Sequence, residues 1–245
     1  MLMNMVFRDL KAKYVGSILG ISWAVITPLL IMLAITFVFT KVMRVNIKNF
    51  PLFSLSAILP WIFFSTALSE SVPSIVNNAH LLNQFTIPVE VLPISSVLAN
   101  FINFLFGLVA MLPVFIFFNI QVLPFLLLLP LALFLHLIFT IGLSLFLSSL
   151  NVNFRDVTHL LGVGLMFWFW LTPIFYSLDM VPEPFRWLCR LNPLTYYIII
   201  YRDILFEARI SDLSVIAIAF LLAIVMLFIG YIFFIKFEPS FTKRR

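Results

Sequence analysis

The feature that most constrains this chain is a run of 64 residues, Val91 to Phe154, without a single Asp, Glu, Lys or Arg. The hydrocarbon core of a bilayer is about 30 Å thick, and a helix that rises about 1.5 Å per residue crosses it with about 20 apolar residues. The run is far too long for one crossing, and the polar break FNIQVLP at 118–124 divides it into two. Such a sequence predicts membrane-spanning helices rather than a soluble core.

The composition supports the same interpretation. Apolar residues make up 63% of the 245 residues, charged residues make up 10%, and the mean hydropathy is +1.16. Soluble domains hold roughly 45–50% apolar and about 25% charged residues, so lipid must cover part of this surface. The net charge of +5 is spread among the ends of the apolar runs, where basic residues orient spans. We therefore expect a membrane protein with no nucleic-acid partner.

Charged residues divide the chain into six uncharged apolar runs, and no internal repeat or linker separates them. The runs lie at 21–40, 49–69, the two halves of 91–154, 157–178 and 213–235. The sequence thus predicts an all-α integral membrane protein with six transmembrane helices, and 1–245 forms a single transmembrane domain. An even number of spans places both termini on one side. The basic residues before the first span and the final Lys-Arg-Arg favour the cytoplasmic side.

The start of the chain carries an apolar stripe with helical spacing. The stripe consists of Met3, Phe7, Leu10, Tyr14 and Ile18. This pattern predicts an amphipathic helix within 1–20 that lies along the membrane interface. In the simpler interpretation the helix only anchors and orients the chain. In the alternative, the cations Arg8, Lys11 and Lys13 also contact an anionic headgroup of the substrate or of a lipid.

The stretch LNPLTYYIIIYRDILF, Leu191 to Phe206, is apolar but too short to cross a bilayer. Asn192 followed by Pro193 is a helix-start signal, because Asn accepts a backbone hydrogen bond and Pro fits the first helical position. The preceding VPEPFRWLCR, 181–190, predicts another short helix. We expect two short re-entrant helices between the fifth and sixth spans, within 179–210.

Backbone that does not span the membrane survives at membrane depth only against protein or a water-filled cavity. The hairpin at 179–210 is therefore predicted to pack inside the protein and to act as an outer gate. Its gate residues would be Trp187, Asn192, Pro193, Tyr196 and Tyr197. The alternative is an amphipathic hairpin that rests on the outer leaflet, with its aromatic side chains at headgroup level.

Between the second and third spans lies SIVNNAHLLNQFTIPVEVLP, a segment that mixes polar residues with isolated apolar ones. By the predicted topology it is cytoplasmic, and such a segment suits a short helix that docks on a partner protein. We expect the docking segment to cover 74–92, and its predicted contact residues are Asn78, Leu81, Leu82 and Phe85.

The sequence lacks the parts of common catalytic and energy-coupling sites. No GxxxxGK[ST] motif is present, so the chain does not bind ATP through a P-loop. His80, His136 and His159 are far apart and Cys189 is the only cysteine, so we predict neither a metal site nor an intrachain disulfide. The span interiors hold no Asp, Glu, Lys or Arg, which argues against proton coupling. We expect no cofactor bound by this chain.

Aromatic residues form 17% of the chain, and 30 of them are Phe. Aromatic faces stack on sugar rings without requiring one register, so they suit the lining of a path for a sliding polymer. The candidate channel aromatics are Trp61, Phe64, Trp170 and Tyr176. For any one of them the competing interpretation is packing in the core or against lipid.

Together these motifs resemble the membrane subunit, or permease, of type-2 ABC exporters, in the branch that exports polysaccharides such as O-antigen, capsule and teichoic acid. The resemblance rests on RDLKAKYVGSILGISWAVITP at 8–28, NAHLLNQFTIPVEVLP at 78–93, NFRD at 153–156, WLTPIFY at 170–176 and LNPLTYYIIIYRDILF at 191–206. Their order and spacing extend along nearly the whole chain.

The resemblance implies a transport subunit rather than an enzyme. It also implies a homodimer whose two copies form the translocation path, with two separately encoded ABC ATPase subunits beneath it. ATP and magnesium would bind to that partner. The docking segment 74–92 would be the family's coupling segment, and together with the N-terminal helix it would transmit the closure of the ATPase. The cargo would be a glycan on a lipid pyrophosphate carrier, exported across the bacterial cytoplasmic (inner) membrane. In one respect the chain departs from the family, whose members often carry a Lys or Arg near the two prolines of this segment. Here 74–93 contains no Lys or Arg, and the charged residue nearest to the prolines is Glu90, which argues against phosphate binding there.

Two alternatives fit the same sequence. A type-2 ABC exporter of a lipid or a drug would have the same fold and differ only in its cargo. A membrane-bound transferase acting on a lipid-linked sugar would need an acid or a base near the interface, and its candidates lie on the outer loop. These candidates are Asp179, Glu183, Asp203 and Glu207.

Overall fold

The computed structural model describes residues 1–44, 47–79 and 88–243, with side chains through Phe237. In these ranges the regular secondary structure is helical. The α-helices are α1 (Leu2–Tyr14), α2 (Trp23–Thr36), α3 (Phe50–Ser71), α4 (Ser74–Asn77), α5 (Val91–Phe118), α6 (Leu129–Asn153), α7 (Asp156–Leu171), α8 (Arg186–Leu191), α9 (Pro193–Arg202) and α10 (Leu213–Lys243). The 3-10 or π turns that extend them include Gly20–Ser22 and Phe37–Val42 around α2, Ile120–Leu128 before α6 and Asp203–Glu207 after α9.

Five helical segments are long and apolar enough to cross a membrane. They are Gly20–Val42, Phe50–Ser71, Val91–Phe118, Ile120–Asn153 and Leu213–Phe237. These segments match five of the predicted spans, and the polar break at Asn119 separates the third from the fourth as expected. The chain is therefore an all-helical, multi-pass membrane protein.

The remaining predicted span, 157–178, is shorter than expected. α7 ends at Leu171 after 16 residues. At about 1.5 Å per residue it is about 24 Å long, which falls short of a hydrocarbon core about 30 Å thick. The helix stops because Thr172 precedes Pro173, and the residue before a proline disfavours helical geometry; Thr172 is extended, with φ −85° and ψ 132°. The prediction of one helix as far as Leu178 is therefore wrong.

α3 is the centre of the bundle. In its apolar stretch 78% of the residues are buried, against 6% for Gly20–Val42 and 17% for Leu213–Phe237. α3 packs against α2, α5, α6, α7 and α9, so protein surrounds it on every side. The first and last spans instead leave most of their apolar surface to lipid or to another protein chain.

α6 and α10 approach each other closely at two glycines. A Cβ atom placed on Gly142 would lie 2.5 Å from the backbone nitrogen of Leu227, and one placed on Gly230 would overlap the carbonyl oxygen of Gly142. Small residues allow the backbones of transmembrane helices to approach in this way. The glycine pair therefore determines how tightly α10 packs on the bundle.

Side-chain contacts identify the two ends of the bundle. At one end, Met5 of α1 shares an apolar cluster with Leu145 and Phe234, so the start of the chain and the far part of α10 lie together. At the opposite end, the Phe53 ring meets the edge of Phe206, just after α9. We call the first the terminal end and the second the hairpin end.

α1 is helical as predicted, but its two buried residues lie off the predicted stripe. It ends at Tyr14 rather than near residue 20, and Gly16 beyond it adopts a positive φ of 81° that favours glycine. Its buried residues are Met5 and Val6, and its exposed stripe residues are Met3 and Phe7. Leu10 and Tyr14 of the stripe are half-buried, so only its Met3 and Phe7 part is free to contact lipid.

Two short helices lie between α7 and α10, and they are separated at LNP as predicted. α8 follows a 3-10 turn at Glu183–Phe185, and α9 begins at Pro193. The side chain of Asn192 accepts a hydrogen bond of 3.0 Å from a backbone N–H in the first turn of α9, which confirms the predicted cap. α9 packs against α3 and α10 with Tyr197 and Tyr201 fully buried, whereas α8 is largely exposed. The depth of this hairpin in a bilayer stays a prediction.

Candidate functional site

A polar cluster joins α1 to the bundle at the terminal end. The Lys13 Nζ lies 2.9 Å from a carboxylate oxygen of Glu70 and donates to the side-chain oxygen of Asn100 at 2.5 Å. The amide nitrogen of Asn100 donates to the same Glu70 oxygen at 2.7 Å. These three side chains, which we call the Lys13 cluster, therefore link α1, α3 and α5.

Two further contacts follow the same face of α1. The Ser95 hydroxyl donates to the Asp9 carboxylate at 3.1 Å, and the Tyr14 hydroxyl donates to the side-chain oxygen of Asn103. Burial, together with the nearby Glu70 carboxylate, raises the pKa of Tyr14, so the phenol keeps the proton that it donates. Half of the length of α1 is thus docked on α5 through polar contacts.

The three predicted headgroup cations have different surroundings. Lys13 is engaged in its cluster. Arg8 pairs with the adjacent Asp9 at 2.8 Å, and its side chain is 42% exposed. Lys11 is exposed and has no side-chain partner among the described residues. Arg8 and Lys11 are therefore accessible to an anion from outside, whereas Lys13 would first have to leave Glu70. Headgroup binding stays a prediction for all three.

The coupling segment is described only near its two ends. Leu81, Leu82 and Phe85 lie outside the described residues. Asn78 follows α4, where its side-chain amide donates to the Ser74 carbonyl at 2.9 Å. α4 packs against α5 and α6. The segment therefore begins at the terminal end of the bundle, the same end as α1.

The structure separates the four candidate channel aromatics into two pairs. Phe64 is fully buried, Trp61 is nearly so, and both pack against aromatic rings of α7. Within one chain these two are core residues. Trp170 is 59% exposed and Tyr176 is half-buried. Only Trp170 and Tyr176 can meet a molecule outside the chain without a rearrangement of the core.

α7 exposes an apolar face along its length. The exposed residues are Leu160, Val163, Met166, Phe167 and Trp170. On the same helix, Gly162 and Gly164 have open space where a Cβ would lie. A continuous apolar face of this kind is covered by lipid or by another protein chain.

At the hairpin end, Asn192 joins three elements. Besides capping α9, its side-chain oxygen accepts a hydrogen bond of 2.5 Å from the Trp168 indole N–H. Its amide nitrogen donates to the Thr172 hydroxyl at 2.8 Å. Asn192 is buried, and both ends of its amide are used. The last turn of α7 is therefore tied to the first turn of α9.

The other predicted gate residues divide between the core and the surface. The Tyr197 hydroxyl donates to the Ala219 carbonyl at 2.9 Å and holds α9 against α10. The Tyr196 hydroxyl donates to the Arg190 carbonyl at 2.8 Å and holds the two short helices together. Trp187 is exposed on α8. The hairpin is thus firmly anchored on its α9 side and open on its α8 side.

Sequence reasoning missed Arg202, the last residue of α9. This buried side chain donates to the carbonyl oxygens of Pro173 and Ile174 at 2.6 and 3.1 Å. A signal for it is present, because Arg202 is a charge at the edge of an uncharged apolar stretch, where charges mark specific partners. The position in the sequence does not reveal which carbonyl groups it meets.

The four acidic residues of the transferase alternative do not form one site. Asp203 is buried and pairs with Arg209 at 2.7 Å. Asp179 and Glu207 line an open cavity of about 600 Å³ at the hairpin end, and Glu183 lies on the turn before α8, away from this lining. Of the four, only Asp179 and Glu207 share this cavity.

These features define the class of protein. The chain is a multi-pass helical membrane protein with a short N-terminal helix docked at one end, a hairpin of two short helices at the other, and no P-loop of its own. The profile of the ABC-2 type transporter family matches residues 2–206. The chain belongs to this family, whose members are transport permeases, and the resemblance stated from the sequence is confirmed.

Its relatives align over most of its length. The chain is 32% identical to the O-antigen export system permease protein RfbA of Klebsiella pneumoniae over 237 residues, 96% of this chain and 91% of that protein. It is 36% identical to a protein of the same name from Myxococcus xanthus over 214 residues, 86% of this chain and 82% of the relative. It is 23% identical to the polysialic acid transport protein KpsM of Escherichia coli over 226 residues, 91% and 88% of the two chains.

Proposed function

We propose that this chain is the transmembrane subunit of an ATP-driven exporter that moves a lipid-linked polysaccharide out across the cytoplasmic membrane of a bacterium. The observation that carries the proposal is the identity of 32% and 36% to two relatives that are both named as O-antigen export permeases. A third relative is named for polysialic acid transport. Because all three names share a polysaccharide cargo, they favour a glycan over a drug or a free lipid.

The topology that we propose has six crossings, with both termini in the cytoplasm. Met5 and Phe234 lie at the same end of the bundle, which supports an even number of crossings. The five long segments leave one crossing for α7 and its non-helical continuation. The basic residues before the first span support a cytoplasmic terminal end. In this arrangement the hairpin of α8 and α9 re-enters the membrane from the outside.

The partners that we propose are a second copy of this chain and two ABC ATPase subunits. The exposed apolar faces of α7 and of the first span suit contact with a second copy. The chain has no P-loop, so ATP and magnesium would bind to the ATPase. That subunit would dock at the terminal end, on the coupling segment 74–92 beside α1.

Within this exporter the hairpin at the outer face would act as the gate, and the glycan would pass aromatic residues on its way. Trp170 and Tyr176 are the better candidates for that role, because Trp61 and Phe64 are enclosed in the core of one chain. Arg8 and Lys11 are the more accessible cations for the pyrophosphate headgroup.

The test of the proposed function is reconstitution. The chain and its companion ATPase are placed in proteoliposomes with a fluorescent lipid-pyrophosphate-linked oligosaccharide, and its outward movement is measured by protection from an added glycosidase. We expect transport only with both subunits and ATP, and none with an ATPase that lacks its Walker lysine. Transport by the chain alone would contradict the proposal.

Deletion in the source cell separates the possible cargoes. Loss of the surface polysaccharide, restored by the wild-type chain, is the expected result. Persistence of the polysaccharide together with increased sensitivity to a drug, or with a changed lipid composition, would instead assign the exporter to one of those cargoes.

A further inference from the structure

Arg202 is a buried cation that is held by carbonyl groups. It is 7% exposed, and no carboxylate forms an ion pair with it in the part of the chain that the structure describes. One terminal nitrogen donates to the Pro173 and Ile174 carbonyls, and the other lies 3.4 Å from the Tyr176 carbonyl. The guanidinium carbon also lies 3.8 Å above the centre of the Phe53 ring. The guanidinium group is planar and carries five N–H donors, so it can donate to several carbonyl groups and lie over an aromatic ring at the same time.

The carbonyl groups that Arg202 contacts belong to residues 173–176, which follow the end of α7 and lie outside any helix. α7 ends at Leu171, and the residues that follow it are buried but not helical. Buried carbonyl groups without a donor are costly, and in lipid no water can replace the donor. Arg202 supplies donors to three of these groups at once, so it compensates the break in α7.

The same non-helical segment also contacts the two short helices. The Tyr176 hydroxyl donates to the Trp170 carbonyl at 3.1 Å and lies 3.8 Å from the sulfur of Cys189 on α8. Arg202 belongs to α9 and holds the backbone of Tyr176. The contacts of this segment therefore connect α7, α8 and α9 around one arginine.

We propose that Arg202 is the positioning residue of the outer hairpin: it holds residues 173–176 so that α7, α8 and α9 keep one fixed arrangement. That this arrangement controls a path for cargo rests on the proposed function, whereas the positioning of the three helices can be tested without any cargo. Loss of Arg202 frees the Tyr176 segment, uncovers Cys189 and leaves the hairpin without this fixed arrangement.

The single cysteine of the chain is a native reporter for this proposal, because Cys189 is 4% exposed and lies beside Tyr176. We would measure the rate at which a membrane-impermeant maleimide labels Cys189 in the assembled complex with its ATPase in nanodiscs. Arg202→Met should raise this rate about tenfold to a hundredfold, since hydrogen bonds from a charged donor are lost and labelling follows the open population. Arg155→Met, which removes an exposed arginine far from the hairpin, is the control and should leave the rate unchanged.

A conservative variant covers the case in which Arg202→Met does not assemble. Arg202→Lys keeps the charge but not the planar fork, so it should assemble and label at a rate between those of the wild type and Arg202→Met. Wild-type labelling rates in every Arg202 variant that assembles would overturn the proposal.

A second reporter distinguishes positioning from general loss of structure. Ser148→Cys in a Cys189→Ser background places the thiol at a fully buried site in α6. Its labelling should not respond to Arg202→Met, and an equal rise at both sites would overturn the proposal in favour of global loosening. Export is measured separately, so a wild-type chain that exports no polysaccharide would refute the proposed function without affecting this result.

Discussion

Replacing Lys13 with Met should release α1 from the bundle. Met keeps most of the apolar stem but has no ammonium group, so Glu70 and the side-chain oxygen of Asn100 both lose a donor. The Glu70 side chain is 45% exposed and can turn to water, so the ion pair itself contributes at most about 1 kcal/mol. Asn100 is 2% exposed and cannot turn to water, so its unpaired oxygen costs about 1–3 kcal/mol.

Together the two effects weaken the docking of α1 by about 1–4 kcal/mol. At about 1.4 kcal/mol per tenfold, the population with α1 detached rises roughly fivefold to several hundredfold. Hydrogen–deuterium exchange of the amides of α1, measured by mass spectrometry on the complex in nanodiscs, reports this population directly. Lys11→Met is the matched control, because it makes the same change on the exposed side of the same helix and should leave the protection of α1 unchanged.

Equal protection of α1 in Lys13→Met and Lys11→Met would refute the role of the Lys13 cluster. Glu70→Gln separates the two contributions, because Gln keeps a carbonyl acceptor for Lys13 and loses only the charge. Its effect should remain below about 1 kcal/mol and should disappear at high salt. A loss as large as that of Lys13→Met would show that the ion pair, and not the buried Asn100 oxygen, dominates the docking.

Two further predictions concern packing and capping. Gly142→Ala should destabilise the chain by about 1–3 kcal/mol in thermal unfolding in detergent, because the added Cβ meets the backbone of α10. Gly162→Ala is the control, because its Cβ meets no atom. Similar unfolding midpoints for the two variants would contradict the close approach of α6 and α10. Asn192→Ala should cost about 2–4 kcal/mol, about 1 for the cap and the rest for the unpaired Trp168 N–H. Asn192→Ser keeps a cap but is too short for the indole, so it should still cost about 1–3 kcal/mol, and a Ser variant as stable as the wild type would rule out the indole contact.

The spans and the start of α9 could be predicted from the sequence because their causes are local or external. The thickness of the bilayer sets a length that uncharged runs must match, whatever the tertiary fold. The cap at Asn192 depends only on residues within one helical turn. The end of α7 had a local cause as well, Thr172 before Pro173, but the apolar run continues past it and hides the break.

The details of the site depend on contacts between distant parts of the chain. Lys13 meets Glu70 only because α1 folds back onto α3 and α5, and no pattern near either residue indicates that pairing. The burial of Phe64 could not be predicted for a related reason. α3 is apolar on every side, so its sequence does not distinguish a face toward a channel from a face toward the core.

The distribution of polar contacts gives α7 a particular position between the two ends of the molecule. Near the terminal end the Thr158 hydroxyl donates to Asn151 of α6 at 2.8 Å, and near the hairpin end the Trp168 indole donates to Asn192 at 2.5 Å. Between these contacts one face of α7 is apolar and exposed. A rigid helix moves as a unit, so a displacement at the Thr158 end must also shift the hairpin through Asn192. α7 therefore connects the two ends of the molecule, and because its Trp168 and Phe169 rings pack on Phe64 and Trp61, a displacement of α7 would also repack part of the buried α3 core.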